Sequence, residues 1–360
     1  MRYPNRYALI MAGGRGTRFW PRSRRRRSKQ VLQVFGKKSL IQQTAERIRP
    51  VVPPERTWVL TNRDLRPAIV AQLPAVPQRQ IIAEPAQRNT GPCNALGAHI
   101  IAGIDPDAVV GVFPADHVIT DRPAFTRVVQ AAYAAAESSG NLVVVGIQPR
   151  WADDGYGYIE FPEGVRAGAL EPVPVRSFRE KPDKETAEKY VRAGNYYWNA
   201  GMFFWRASVF LEAVREYEPQ TATLIASLPP VRSRGFASML AKVYPAVRDI
   251  SVDYAVYEKA GNVAGIPAGD LGWSDVGTWR SVYELLPHDE NGNAVRGELV
   301  GIESSGNYVD AERKLVALVG VNDLVVVDTP DALLITRRDC AQKVGQVVKR
   351  LEAMKRGDLL

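Results

Sequence analysis

Cysteine is scarce: the 360-residue chain has two, Cys93 and Cys340, far apart and in no CxxC pairing. That excludes a disulfide framework and argues against a structural zinc site, so stability must come from a buried core, which a chain of this length can supply. A reducing cytoplasm is the expected compartment. Histidine is nearly as rare, with three residues, and His99 and His117 lack the spacing of metal ligands on one helix; both are expected to be structural or to stand behind the site. Long apolar runs are missing as well. The N-terminal MRYPNRYALIMAGG holds an apolar run of about five residues, too short for a signal-peptide core or a membrane span, and no other segment reaches spanning length. No membrane association is expected.

Acidic residues are absent from Leu9 to Gln30, LIMAGGRGTRFWPRSRRRRSKQ, which carries eight basic ones: Arg15, Arg18, Arg22, Arg24, Arg25, Arg26, Arg27 and Lys29. With 47 Lys and Arg against 39 Asp and Glu the net charge is +8, so this one stretch equals the whole excess. A nucleic-acid binder spreads its basic residues over a face or groove, interleaved with aromatics. Here they crowd a glycine turn, which favours a small, densely anionic ligand and argues against nucleic acid.

Short β-branched runs alternate with helix-like stretches in the first half. YALIMA, RTWVLTN, QRQIIAE, AVVGVFPADH and NLVVVGIQP read as buried strands, and this rhythm predicts an α/β fold with a mostly parallel sheet. SLIQQTAERIRP and PAFTRVVQAAYAAAESSG read as helices, the second capped by Asp121 and closed at Gly140. From about Trp151 the strands shorten and aromatics accumulate, as in an insertion that completes a pocket; YYWNAGMFFWRASVFLEAV passes from strand to helix near Ala207. Beyond LLPHDENGNAV the pattern becomes short strands and polar turns, with no long helix until CAQKVGQVVKRLEAM. The domains expected are therefore 1–286, an α/β catalytic domain, and 287–360, a smaller β-rich domain ending in a helix. A β-helix, left-handed or not, and a sandwich both fit the tail.

The strand running into AGGRGTR places Gly13, Gly14 and Gly16 where backbone N–H groups can turn toward an anion, phosphate being the obvious one. The spacing is neither GxxxxGK[ST] nor GxGxxG, since Phe19 stands where a third glycine belongs, so neither an ATPase loop nor a dinucleotide site is favoured.

AGGRGTRFWPRSRRRRSKQ resembles the nucleotidylyltransferase motif GGxGTRLxPxSxxxPK, and its FWPRSR and KQ parts are similar to mannose-1-phosphate guanylyltransferases. EPAQRNTGP, FPADHVI, FREKPD, WNAGMFFW and GWSDVGTW resemble further motifs of that family, in the same order. The likeness covers essentially the whole chain. It implies a Rossmann-like, nucleotide-diphospho-sugar transferase type of sheet, with a single activity and without the cupin-like phosphomannose isomerase domain of longer bacterial members. Two departures stand out. Ser28 replaces the proline usually found before the lysine, which should loosen the loop slightly, and Gly91 to Cys93 reads GPC where small residues are typical.

What the resemblance implies is transfer of a nucleotide from GTP to mannose 1-phosphate, releasing diphosphate. The nucleophile is already an anion, so no general base is needed; positive charge, N–H dipoles and a divalent ion are. The motif match assigns the backbone of Gly13, Gly14, Gly16 and Thr17 to the triphosphate, Arg18 to the leaving diphosphate and Lys29 to the reacting phosphates. Mg²⁺ takes one or two carboxylates beside substrate phosphates, and Asp116 and Asp275 are the candidates. Asp116 follows an apolar strand, at a carboxyl end where ligands collect in open α/β sheets. Glu84 is the candidate to accept the paired donors of guanine, near Arg88, Asn89 and Thr90, although an N-cap role for this segment also fits. For the sugar phosphate, Glu180 would accept from hydroxyls and Lys181 meet the phosphate, with Gly157, Asn199 and Gly201 lining the same pocket. Arg24 to Arg27 fall in the variable part of the motif and read as a solvated run that raises local anion concentration. A homodimer is the expected assembly. The alternatives are transfer to another hexose 1-phosphate or from another nucleoside triphosphate, and a non-catalytic subunit that senses nucleotide sugars.

Overall fold

The apolar runs of the first half become central strands because both of their sides are covered. In the computed structural model, which describes residues 5–360, the first strand, β1 (Arg6–Ala12), sends Ala8, Ile10 and Ala12 into one core and Tyr7 and Leu9 into another, on opposite faces of one sheet. A strand buried on both faces needs apolar residues throughout rather than alternation. The same logic holds for β2 (Thr57–Asn62), β4 (Val109–Pro114) and, after the short β5 (Val118–Ile119), β6 (Leu142–Ile147), while β3 (Ile81–Glu84), at the sheet edge, is buried at Ile81 and half-buried beyond it. Next come β7 (Tyr158–Glu160), β8 (Val173–Pro174), β9 (Ser177–Arg179), β10 (Tyr196–Arg206), β11 (Val263–Ala268) and β12 (Trp273–Ser274).

The main sheet runs β3-β2-β1-β4-β10-β6-β11-β8. β3, β2, β1 and β4 are mutually parallel, as are β6 and β11, while β10 lies antiparallel between β4 and β6. The sheet is thus mixed and mostly parallel, as expected. β7 and β9 extend from β10 and carry the insertion. β10 loses register against β6 between Asn199 and Phe203, a bulge that re-aims Asn199 and Gly201 at the site described below.

Local chemistry sets the helix ends. Ser39 and Gln42 form a capping box at the start of Leu40–Ile48. Asp121 accepts from the Ala124 N–H at 2.9 Å and opens Arg122–Ser138, which stops just short of Gly140. β10 gives way to the helix Ala207–Tyr217 at the expected residue.

The tail contains β13 (Ala294–Ile302), β14 (Tyr308–Val319), β15 (Leu324–Asp328) and β16 (Leu333–Arg337), then the helix Val344–Ala353. β13, β14 and β15 are parallel neighbours joined by short turns, the stacking of a β-helix rather than a sandwich, and only β16 returns antiparallel. This domain is not a loose appendage. One hydrophobic core combines Phe19 and Trp20 of the basic stretch, Leu32 just beyond it, Trp279 and Val282 of the helix Trp279–Leu285, and Tyr308, Val325, Val344 and Val348 of the tail. No helix among the described residues is long and apolar enough to cross a membrane.

Candidate active site

The carboxyl ends of β1, β3 and β4, the bulge of β10 and the loop after β12 converge on one cavity of about 600 Å³. All six motif segments reach it. Gly13 and Gly14 come from the glycine loop, Glu84, Arg88, Asn89 and Thr90 from EPAQRNT, Asp116 and His117 from PADH, Glu180 from EKP, Asn199 and Gly201 from WNAG, and Asp275 from WSDVG, with Gly157 beside them.

Side chains from β2 and from the loop after β3 bond the carbonyls at the start of the glycine loop. Thr61 Oγ1 donates to the Ala12 carbonyl at 2.9 Å, and Gln87 Nε2 and Asn62 Nδ2 donate to the Gly13 carbonyl at 3.0 and 3.3 Å. Gly16 sits at φ +59°, where a Cβ would lie 2.8 Å from the Lys29 backbone nitrogen, so the loop can fold against Lys29 only with glycine there. Gly16, Thr17 and Arg18 do not line the cavity. They form the turn behind it, with the Phe19 N–H donating to the Gly16 carbonyl at 2.9 Å and Arg18 Nη1 to the Gly277 carbonyl at 3.4 Å.

Lys29 is 8% exposed at its side chain and bridges the two candidate metal carboxylate segments: Nζ lies 3.0 Å from Asp116 Oδ2 and 2.5 Å from the Asp275 carbonyl oxygen. Ser28 adopts φ −75°, the conformation proline would impose, and its hydroxyl donates to Gln30 Oε1 in a buried pair. The substitution therefore does not loosen the loop. Burial pushes the Asp116 carboxyl upward, but the Lys29 ammonium and His117 more than reverse this, and its pKa falls below the usual aspartate value. Burial drives His117 down to about 4, so it is neutral at pH 7; its Nδ1 accepts from Trp273 Nε1 at 3.2 Å. Asp275 Oδ1 accepts from the Tyr156 hydroxyl at 2.9 Å and from the Gly277 N–H at 3.1 Å. Among the described residues no three His, Cys, Asp or Glu side chains cluster as metal ligands. Two carboxylates on the wall of one cavity match a cation that takes the rest of its oxygens from substrate phosphate and water.

Glu84 ends β3 beside the glycine loop. Burial raises its carboxyl to about 7, against hydrogen bonds from the Tyr244 hydroxyl and the Cys93 thiol that favour the anion. Asn89 caps the helix Thr90–Ala102, accepting from the Thr90 N–H at 2.9 Å, while Thr90 Oγ1 accepts from the Val252 N–H at 2.9 Å. The N-cap role belongs to Asn89 and leaves Glu84 facing the cavity. The GPC departure is structural: the Gly91 N–H donates to the Ile250 carbonyl at 3.0 Å, a close backbone approach, and Cys93 points back at Glu84.

At the other end, a Cβ on Gly157 would lie 2.5 Å from Glu180 Oε2, so any side chain there would push that carboxylate from its present place. Asn199 donates from its backbone to the Gly157 carbonyl at 2.7 Å and from Nδ2 to Asp253 Oδ1 at 3.0 Å. Lys181 pairs with Glu180 and lies outside the cavity wall. Asp253 escaped the sequence reading. It opens an irregular turn, Asp253–Tyr257, and burial together with the Glu180 charge raises its pKa. Its only signal in SVDYAVYEK was an acid in an otherwise apolar, helix-like run. Backbone strain marks the same loops. Asn89, Lys181 and Val276 all have φ between +46° and +64°, each at a cost of about 1–3 kcal/mol, inside three of the motifs.

The basic run is only partly solvated. Arg22 makes a two-pronged pair with Asp310, which is 1% exposed, and Arg24 pairs with Asp331 at 3.0 Å, whereas Arg25, Arg26 and Arg27 are exposed.

A phosphate-type glycine loop and two carboxylates on one cavity, with the buried Lys29 paired to Asp116 from behind the wall rather than lining it, are the parts of a nucleotide-transferring enzyme. Residues 7–292 match the Nucleotidyl transferase family model, and 297–351 match the MannoseP isomerase/GMP-like beta-helix domain. The mannose-1-phosphate guanylyltransferase of Klebsiella pneumoniae is 37% identical over 97% of this chain and 74% of its own length. The protein of that name in Escherichia coli K12 is 40% identical over 96% and 73%. A solved structure from Thermus thermophilus, described as a mannose-1-phosphate geranyltransferase, superposes with a TM-score of 0.85 at 35% identity, covering 97% of this chain and 99% of that one. The chain belongs to the nucleotidyl transferase family, in its mannose-1-phosphate guanylyltransferase branch, and it is an enzyme of that class.

Proposed function

We propose that the chain joins GTP and α-D-mannose 1-phosphate into GDP-mannose, releasing diphosphate. The observation that carries this reading is the single cavity that gathers all six motif segments; relatives bearing the guanylyltransferase name support the choice of substrates. A phosphate oxygen of the sugar attacks the α-phosphorus of GTP in line, the bond to the bridging oxygen breaks, and diphosphate leaves with the electron pair. His117, uncharged and held by Trp273, has no proton to take.

The N–H groups of Gly13 and Gly14 face the triphosphate, and Gly16, Thr17 and Arg18 shape and support their turn. Lys29 places its charge at the reacting phosphates. Glu84 accepts from guanine, and Arg88, Asn89 and Thr90 brace that wall. Glu180, backed by Asn199 and Asp253, accepts from sugar hydroxyls, and Lys181 sets the direction of Glu180. A bound Mg²⁺, held by Asp116 and Asp275 together with substrate phosphates, would neutralise charge that develops on the phosphates.

The test is diphosphate release measured across nucleotides and sugar phosphates. Fast turnover with UTP or dTTP and none with GTP overturns the reading. We also infer a cytosolic setting, supported by two free thiols, and a homodimer formed through the tail. In the latter, Val300 and Ile302 of β13 lie in register beside Ala317 and Val319 of β14, with Leu315 on the same side. Val319 is 65% exposed and Leu315 59%, an apolar patch of the kind that marks association surfaces.

A further inference from the structure

Arg15 is the variable residue of AGGRGTR and lines the nucleotide cavity, yet its guanidinium is held from outside the catalytic sheet. Nη2 donates to Glu352 Oε1 at 2.5 Å. Glu352 lies on the C-terminal helix Val344–Ala353, in the second domain. A side cavity of about 430 Å³ opens on the same pair and shares Arg15, Glu84 and Gln87 with the nucleotide cavity, so Arg15 stands on the partition between the two.

The element that carries Glu352 is firmly seated. Val344 and Val348 enter the core shared with Phe19 and Trp20, and Trp20 Nε1 donates to the Leu359 carbonyl at 3.0 Å, just beyond the helix. The helix also touches the glycine loop's turn: a Cβ on Gly345 would lie 3.4 Å from Thr17 Oγ1. Arg15 itself springs from a loop whose glycines add conformational freedom. A long side chain on such a loop loses rotamer freedom when it meets a phosphate, unless something already holds it. A guanidinium has five N–H donors in a planar fork, so one edge can be held while the others face a second anion.

Resting on the nucleotide-transfer reading above, we propose that Glu352 is a positioning residue for GTP: it holds Arg15 at the cavity rim so that the free donors of the guanidinium meet the triphosphate. The second domain thereby completes the nucleotide site. The Arg15 side chain is 40% exposed and that of Glu352 35%. Such a pair contributes little to folding, which separates its effect on binding from any effect on stability.

The test compares the full-length protein with Glu352→Gln, Arg15→Gln and the double variant, reading KM for GTP, KM for mannose 1-phosphate and direct calorimetric binding of GTP. Glu352→Gln should raise KM and Kd for GTP about three- to tenfold, without a matching rise in KM for the sugar phosphate. Arg15→Gln should raise them at least as much, and the double variant no further, because both changes remove one coupled interaction. An unchanged or lowered KM for GTP in Glu352→Gln overturns the proposal, the second outcome meaning that the carboxylate competes with the triphosphate. Full additivity overturns it as well. A wild-type protein that fails to turn over GTP with mannose 1-phosphate, but loses GTP affinity in Glu352→Gln, refutes the proposed reaction and upholds the positioning role.

Discussion

Replacing Lys29 with Met removes the ammonium and keeps most of the aliphatic stem, which passes the Phe19 ring with Nζ 5.5 Å from its centroid. At 3.0 Å from Asp116, with an effective dielectric of about 20, the Lys29–Asp116 attraction is ~5 kcal/mol. Most of it offsets desolvation of the two groups. Folding should therefore lose only about 1–3 kcal/mol, because Asp116 keeps some access to water in the cavity. Turnover should lose more. A preorganised charge or donor at the reacting centre typically contributes about 10²–10³ in kcat, and Lys29 is the buried cation between the two carboxylate segments. The assay pairs diphosphate release with equilibrium unfolding as a function of pH. Lys29 holds the folded-state pKa of Asp116 below 3.8, so its contribution is present above that value and lost as pH falls through the lower, folded value. The stability gap between wild type and variant should narrow in that acid range. A folded Lys29→Met enzyme that works within tenfold of wild type would refute the reasoning.

Burial pushes Glu84 up to about 7, and the proposed contact to guanine needs its anion, so GTP affinity should weaken as pH drops below about 7; Glu84→Gln should bind GTP more weakly and flatten that pH profile, and a wild-type Kd independent of pH contradicts the assignment. Asp310→Asn leaves Arg22 without its buried carboxylate and should cost about 3–5 kcal/mol in chemical denaturation; a loss under about 1 kcal/mol would show that the pair is expendable. Val319→Glu places a charge in the exposed patch of β14 and should shift the protein from dimer to monomer in light scattering, with diphosphate release retained by the monomer. A wild-type monomer at micromolar concentration rules out that interface.

Much of the site was readable because its chemistry is local. The glycine turn, the acid after an apolar strand and the Glu-Lys-Pro turn each declare themselves within a few residues, and all bring at least one residue to the cavity. Asp253 was not readable, since its place in the site depends on Glu180 and Asn199, which reach it only through the insertion and the bulge of β10. Lys181 reads as a phosphate ligand in sequence, whereas in the fold its ammonium pairs with the adjacent Glu180 and stands outside the cavity wall. The arginine run misled in a similar way. Seen along the chain it is a block of like charge; in space Arg15, Arg22 and Arg24 each meet an acid from the far end of the chain.

Most central strands, the helix ends and the glycine turn were legible along the chain, because burial on both faces, capping and glycine turns act over a few neighbouring residues. Tertiary structure alone decided that β10 would run antiparallel between β4 and β6, that the tail would stack as parallel coils, and that this tail would grip the glycine loop. Those outcomes depend on charges and apolar surfaces meeting across long separations, and the pairing of Arg22 with Asp310, 288 residues apart, leaves no mark on the residues around either one.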